Sequence, residues 1–302
     1  MGVSSADPDS AEGRRWLAAL PAELVGQRNL LAQLLDLCPT TPLVSSFSVG
    51  CSLGRGAGDA LSDVDAVLGV DTARGGPGAE QVLTVEHAVV AAVCDGDVVV
   101  DVLRDQVGPP DRFIRRVFAQ YRDGLQLDLA IAAETEVRRG RAAPDFVSLY
   151  RSSTPPAAQN GLGGPEAARF PAADTVTTDQ IYEWTFLGWC ALADVGKYLH
   201  RRSLWEAHNR LHEARGRVWA LWAAARGALY PWHGLSQVLD QEPPVLPPGM
   251  EATVARLEHA DLQRAAHATA QVLAQVSQVA AAKHRAQLPT DLAVYVTSRL
   301  EI

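Results

Sequence analysis

The 302-residue chain is poor in several features that would assign it to a class at once. It has four cysteines, Cys38, Cys51, Cys94 and Cys190, and no two of them form a CxxC pair. That spacing is neither a disulfide framework nor a zinc signature, and free thiols in a reducing cytosol are the expectation. There is no excess of positive charge. Net charge is −8 and the pI is about 5.5, which argues against a general nucleic-acid binder, normally recognised by a basic face. A cationic small substrate is compatible with this balance. No window reaches the ~20 uncharged apolar residues of a membrane span, and the apolar stretch at 218–232 is broken by Arg226. The N-terminus lacks an apolar signal core. It begins Met-Gly, but Ala6 stands where a myristoylation signal needs Ser or Thr. A cytoplasmic location is expected.

What is present is a composition able to bury a core. Apolar residues make up 47% and charged residues 21%, so wholesale disorder is excluded. The length is enough for two domains.

The chain is organised around residues 43–70. An apolar, β-rich run from Leu43 to Val49 enters a loop of small residues, Gly50, Cys51, Ser52, Gly54, Arg55, Gly56 and Gly58. A second apolar run follows, with Asp63 and Asp65 near its start. In a strand, residues i and i+2 face the same side, so the two carboxylates converge. At 4 Å and an effective dielectric near 20 they would repel by roughly 4 kcal/mol. A divalent cation held through carboxylate and phosphate oxygens relieves that repulsion. A Gly/Ser loop after a strand exposes backbone N–H groups suited to phosphate oxygens, and Ser52 adds a hydroxyl.

The remaining N-terminal half reads as α+β with a mixed sheet. Helical spacing runs from Leu17 to Leu37, is interrupted by Pro21 and is closed by Cys38-Pro39. A glycine-rich connector (Gly75, Gly76, Pro77, Gly78) precedes a helical segment at about 80–94, and Asp95-Gly96-Asp97 signals a turn before a strand at 98–103. Pro109-Pro110 breaks the chain again. Phe113–Gln120 and Leu125–Ala132 are β-prone runs joined by Tyr121-Arg122-Asp123-Gly124, a hairpin signal. The second run buries one acid, Asp128, among Leu and Ile, which needs a reason. Arg138, Arg139 and Arg141 follow, with a solvated loop as their default state.

Residues 151–177 are rich in Pro, Gly, Ala and Ser and read as an inter-domain loop. Beyond them the period is helical. Helices are expected from Thr178 or Asp179 to about Arg202, over Leu204–Leu229 and over 250–285, with a last short one from Pro289. A proline-rich loop is expected at 230–249. The expected domains are 1–155 and 156–302. His208 and His212 stand at i, i+4 on a helix, but no HExxH is present, so a solvated face is favoured over a metal site.

The loop and paired acids resemble the signature of the polymerase β-like nucleotidyltransferase superfamily, a Gly-Ser followed about ten residues later by Asp-hydrophobic-Asp. Ser52 and Asp63 are eleven positions apart. Ser52-Leu53-Gly54-Arg55-Gly56 resembles the family's Ser-x-x-Arg-Gly, and Ser62-Asp63-Val64-Asp65 its Ser-Asp-Ile-Asp. One departure stands out: Cys51 occupies the place of the usual Gly, with Gly50 one position earlier. The segment 181–211 is similar to the helical domain of the aminoglycoside 6-adenylyltransferases (streptomycin adenylyltransferases), on Trp184, Trp189, Lys197, Arg201 or Arg202, and Glu206.

The resemblance implies an N-terminal nucleotidyltransferase domain and a C-terminal all-α helical-bundle domain that binds substrate. It implies transfer of AMP from ATP to a hydroxyl of an aminoglycoside-like, cationic amino-sugar, with release of pyrophosphate, as in antibiotic modification. Asp63, Asp65 and Asp128 would be catalytic and would hold Mg²⁺ in a two-metal site; Asp128 is the choice for the family's third acid because the strand after the Asp-Gly hairpin suits the family's order of elements, with Asp101 as runner-up. Gly50, Cys51, Ser52, Arg55 and Lys197 would bind the nucleotide. For Lys197, a helix lysine lying along apolar surface is an equal reading. Trp184, Trp189, Tyr198 and Trp205 could line a cleft, but at helical spacing they are more often core. The alternatives are a nucleotidyltransferase acting on tRNA or protein, and a catalytically silent nucleotide-binding module.

Overall fold

The computed structural model describes residues 10–73, 78–94, 96–107, 112–140, 146–153, 176–228, 231–239 and 243–300. The expected connector at 75–77, the turn residue Asp95, the Pro109-Pro110 break, Arg141 and most of the 151–177 loop lie outside them. The chain divides into two compact units, Met1–Arg169 and Phe170–Ile302.

The first unit is built on a six-stranded mixed sheet. Its strands are β1 (Val44–Val49), β2 (Val64–Val70), β3 (Val99–Val107), β4 (Ile114–Tyr121), β5 (Gln126–Ala133) and β6 (Val147–Arg151), in the order β3-β4-β5-β2-β1-β6. β2 and β5 are parallel, and every other neighbouring pair is antiparallel. The helices are α1 (Ala11–Ala18), α2 (Val25–Thr40), the four-residue α3 (Cys51–Gly54), α4 (Gly78–Val93) and α5 (Glu134–Gly140).

Strand alternation sorts the side chains. Val64, Ala66, Leu68 and Val70 of β2 and Leu127, Leu129 and Ile131 of β5 join the core, together with Leu31, Leu34 and Leu35 of α2 and Val82, Val85 and Val89 of α4. All of these are fully or almost fully buried. At about 25 cal/mol per Å² of apolar surface, this face supplies the main stabilisation of the unit. Buried among it, Glu86 of α4 takes a two-pronged contact from Arg115 of β4 (2.5 and 3.1 Å), which satisfies a carboxylate that would otherwise be costly there.

The opposite face carries Asp65, Val67 and Gly69 of β2 and Asp128, Ala130 and Ala132 of β5. α5 packs against β2 and β5. Glu134, at its start, accepts hydrogen bonds from Ser45 Oγ (3.1 Å) and Ser46 Oγ (2.5 Å) and from Arg138 Nε (2.9 Å). A Cβ on Gly69 would sit 2.0 Å from the Glu134 carboxylate, so only glycine allows α5 to come this close. Arg138 is therefore on a helix rather than in the loop expected from sequence.

Several boundaries differ from the sequence reading. Pro39 does not close the first long helix, because in the last turn its missing N–H costs one bond only, and α2 continues to Thr40. β3 runs to Val107, and β6 had no clear period in so short a run.

The second unit is helical: α6 (Thr178–His200), α7 (Leu204–Arg226), α8 (Gly234–Leu239), α9 (His259–His284) and α10 (Thr290–Leu300). The N-cap of α6 is Thr177, one residue before the expected Thr178 or Asp179. It forms a reciprocal capping box with Gln180, which satisfies two otherwise orphaned N–H groups. Gly227 ends α7 in the left-handed conformation. α6, α7 and α9 pack mutually through Phe186, Leu192, Leu211, Leu221, Leu262 and Leu273, all buried. Among the described residues no helix is long and apolar enough to cross a membrane.

Candidate active site

The face of the sheet opposite the core, open at the end away from α5, sets two of the acids that the sequence singled out side by side. β2 and β5 run parallel in a register that sets Asp65 directly beside Asp128. Residues in register on neighbouring strands point to the same side, so both carboxylates project from this face. Asp63 stands one residue before β2 begins, so it leads into the strand rather than lying within it.

Its approach is fixed by a short loop. Asp59 Oδ1 accepts from the Leu61 N–H (3.0 Å) and the Ser62 hydroxyl (3.1 Å), a local turn of the kind aspartate favours. Gln27 of α2 donates to the Ser62 carbonyl (2.8 Å). The serine before Asp63 thus has a structural task, which is to close the loop that delivers the acid.

The electrostatics show that the acids feel one another. The Asp128 carboxyl is pushed up to about 6. Burial is the largest cause and Arg116 opposes it, while Asp65, Asp105 and Asp63 raise it further. Like charges around a half-buried carboxylate disfavour its ionised form. Arg116 of β4 is itself held by Asp105 of β3 in a two-pronged ion pair (3.0 and 2.6 Å) and lies 6.0 Å from the Phe118 ring centroid. Sequence reasoning missed Asp105 and Arg116. Their signal was the i, i+2 spacing of Arg116, Phe118 and Gln120 on a strand adjoining the acid strand. Asp101, the runner-up, accepts from the Val102 N–H (2.8 Å) and pairs in register with Gln120, not with the β5 acid.

The loop after β1 is short and turned. The Gly50 N–H donates to the Asp65 carbonyl (2.9 Å), tying the loop to β2. A Cβ on Gly50 would meet the Phe146 ring at 2.8 Å, so this position admits no larger residue without a shift. Cys51 begins α3 with φ of +51°, in the left-handed region that a non-glycine residue adopts at a cost. The thiol donates to the Asp65 carboxylate. Its pKa is raised to about 11, by burial first and then by Asp65, with Arg55 opposing. The thiol is therefore protonated at neutral pH. Ser52 is half-buried, and Arg55 is exposed beside the thiol. The loop thus brings Gly50, Cys51, Ser52 and Arg55 to the acid end of β2.

Lys197 belongs to the second unit. Its Nζ is 2.8 Å from Asp194 Oδ1, with both side chains about nine-tenths buried. It lies 5.1 Å from the Tyr198 ring centroid, and Arg210 Nε stands 3.3 Å from the other Asp194 oxygen. Lys197 therefore has a buried ion-pair role within the helical unit. Trp184 and Trp189 are buried core, whereas Trp205 is 75% exposed.

The donor set on the open face consists of carboxylate oxygens, which suit a hard divalent cation. The upward push on Asp128 by its neighbours is what such a cation would relieve. Among the described residues no three His, Cys, Asp or Glu side chains are drawn together closely enough to hold a metal ion. Among the same described residues, His208 and His212 are not joined by a third ligand either.

No protein-family model matches the chain, and no curated protein matches its sequence. Solved structures with a remote likeness to the chain include two. The crystal structure of an aminoglycoside 6-adenyltransferase from Bacillus subtilis shares 12% identity, with a TM-score of 0.34 over 93% of this chain and 98% of that one. A structure of the GLD-2/RNP-8 complex shares 16% identity, with a TM-score of 0.27 over 43% of this chain and 49% of that one. Both likenesses are too remote for a shared activity to follow from them.

Proposed function

We propose that the chain is a metal-dependent nucleotidyltransferase that moves AMP from ATP to a hydroxyl of a small amino-sugar acceptor and releases pyrophosphate. The observation that carries this reading is the register pairing of Asp65 with Asp128 on parallel strands, with Asp63 entering beside them. A nucleotidyl transfer needs acids of this kind to hold divalent cations against a triphosphate, and an acid able to accept the acceptor's proton.

In this reading Asp63, Asp65 and Asp128 would hold Mg²⁺, which would supply charge neutralisation for the transfer. Asp128, in register beside Asp65, is the carboxylate proposed to take the proton from the attacking hydroxyl. The backbone of Gly50, Cys51 and Ser52, the Ser52 hydroxyl and the Arg55 guanidinium would bind the nucleotide's phosphates. Lys197, buried in its ion pair with Asp194 inside the helical unit, is left out of this reading. Residues 1–155 form the transferase domain and 156–302 the acceptor-binding domain, in a cytoplasmic protein without nucleic-acid or membrane partners.

The test is pyrophosphate release from Mg-ATP across a panel of aminoglycosides and related amino-sugars. Turnover with at least one member, lost in Asp63→Asn and Asp65→Asn, is expected. Silence across the panel with nucleotide binding intact would overturn the acceptor class. Full turnover in both variants would place the metal elsewhere.

A further inference from the structure

Next to the acids, on the same face of the sheet, is a cavity of about 170 Å³ that the reaction described above does not use. Its floor is Val67 of β2, Ala130 and Ala132 of β5, Ile114 of β4 and Ser48 of β1, and its walls are Glu136 and Val137 of α5 and Phe146. The strand geometry fixes its distance from the chemistry. Val67 and Ala130 follow Asp65 and Asp128 by two residues, or about 6.6 Å along the strands. The space exists because the sheet carries alanines there and because Gly69 lets α5 close one end.

The lining is apolar apart from the Ser48 hydroxyl and the Glu136 carboxylate. A fully hydroxylated sugar ring would leave hydroxyls unpaired against Val67, Ile114 and the two alanines, which is costly. A hydrocarbon ring or short branched chain would instead bury its surface there. Glu136 is engaged by Arg112, whose Nε lies 3.4 Å from Oε2, but a carboxylate offers about four lone-pair sites. It can accept from an ammonium on the cavity side while keeping that neighbour.

We infer that this cavity is the acceptor subsite for a small apolar group bearing an ammonium, which sets the reacting hydroxyl over Asp65 and Asp128. This rests on the nucleotidyltransferase reading and narrows its acceptor to one with a hydrocarbon portion a few carbons across, next to the modified hydroxyl. A uniformly polar amino-sugar is disfavoured.

The experiment uses methyl-observed NMR of the full chain, with cyclohexylamine as probe and glucosamine as a polar counterpart of the same ring size. Cyclohexylamine is expected to shift the Val67, Ile114 and Ala130 methyls saturably, whereas glucosamine at equal concentration leaves them in place. Ala132→Leu fills the cavity and lowers cyclohexylamine affinity at least tenfold. Val137→Phe does the same from the helix side should the first variant fold poorly. Glu136→Gln weakens cyclohexylamine several-fold and leaves cyclohexanol unchanged. Methyls that do not respond to cyclohexylamine, equal shifts with glucosamine, or affinity insensitive to all three substitutions would overturn the inference. Thermal response to Mg-ATP, read on the same sample, separates the two layers. A response to Mg-ATP without amine binding overturns the subsite alone. Amine binding without any response to Mg-ATP overturns the acceptor assignment together with the transferase reading.

Discussion

One strand, β2, serves two different faces. Its even positions, Val64, Ala66, Leu68 and Val70, are buried in the core, while its odd positions begin with Asp65 and continue to Val67 and Gly69. The first set holds the fold and the second carries the proposed chemistry, separated only by the strand's period of two. Burial is favourable on one face and strained on the other: Leu68 lies fully buried among Leu and Val, whereas Asp128 sits among like charges with its carboxyl pushed up to about 6. Sites of function commonly carry such local disfavour, supported by stability elsewhere.

Substitutions on the two faces should therefore separate activity from stability. The largest effect is expected from Asp65→Asn, which should lower transfer by at least about 10³-fold, or some 4 kcal/mol of transition-state stabilisation. Its melting temperature should stay close to that of the parent. A steady-state assay with a melting curve on the same preparation checks both halves. Leu68→Ala, three residues along, should do the reverse. It should cost about 3 kcal/mol in denaturant unfolding while the folded fraction keeps its turnover.

Asp128→Asn should change both quantities in opposite directions. Asp128 binds its proton more tightly in the folded chain (about 6) than at the ordinary 3.8. The stability attached to its protonated form is thus full below pH 3.8 and is lost as pH rises through 6. In metal-free protein the asparagine variant should match the parent near pH 4 and exceed it by about 3 kcal/mol at pH 7.5. Urea titrations at the two pH values measure this, and a constant difference would refute it. The smallest effect is at Cys51, whose φ is +51°. Cys51→Gly should stay within about 0.5 kcal/mol of the parent, since relief of the left-handed backbone offsets glycine's entropy. Cys51→Val should lose about 1–2 kcal/mol, because a β-branched residue fits that region worst.

The comparison also marks what the sequence could convey. The period of two in Val64–Val70, the Asp-Gly hairpin between β4 and β5 and the buried acid in Leu-Gln-Leu-Asp-Leu are local patterns. They put Asp65 and Asp128 on strands from local pattern alone. Their side-by-side register was beyond reach, because parallel pairing joins residues 63 positions apart in sequence with no turn to fix it. Asp105 and Arg116 were missed for the same reason, since their meaning comes from the register of β3 against β4. α5 was hidden in an arginine cluster that resembles a loop until Glu134 is seen to anchor it. The α6 cap shifted by one residue because Thr177 and Gln180 together outcompete Thr178 or Asp179. Cys51, the one irregular position of the motif, is also where the backbone is unusual.

The central claim is that the open face of the sheet binds a metal–nucleotide through its acids, and a thermal shift with Mg-ATP tests it most directly. Nucleotide at 100 times its dissociation constant should add roughly 2.7 kcal/mol, which raises the melting temperature by several degrees for a chain of this size. That rise should collapse in Asp63→Asn and Asp65→Asn. A melting temperature that no Mg-nucleoside triphosphate moves, or an equal rise in both variants, would contradict the account.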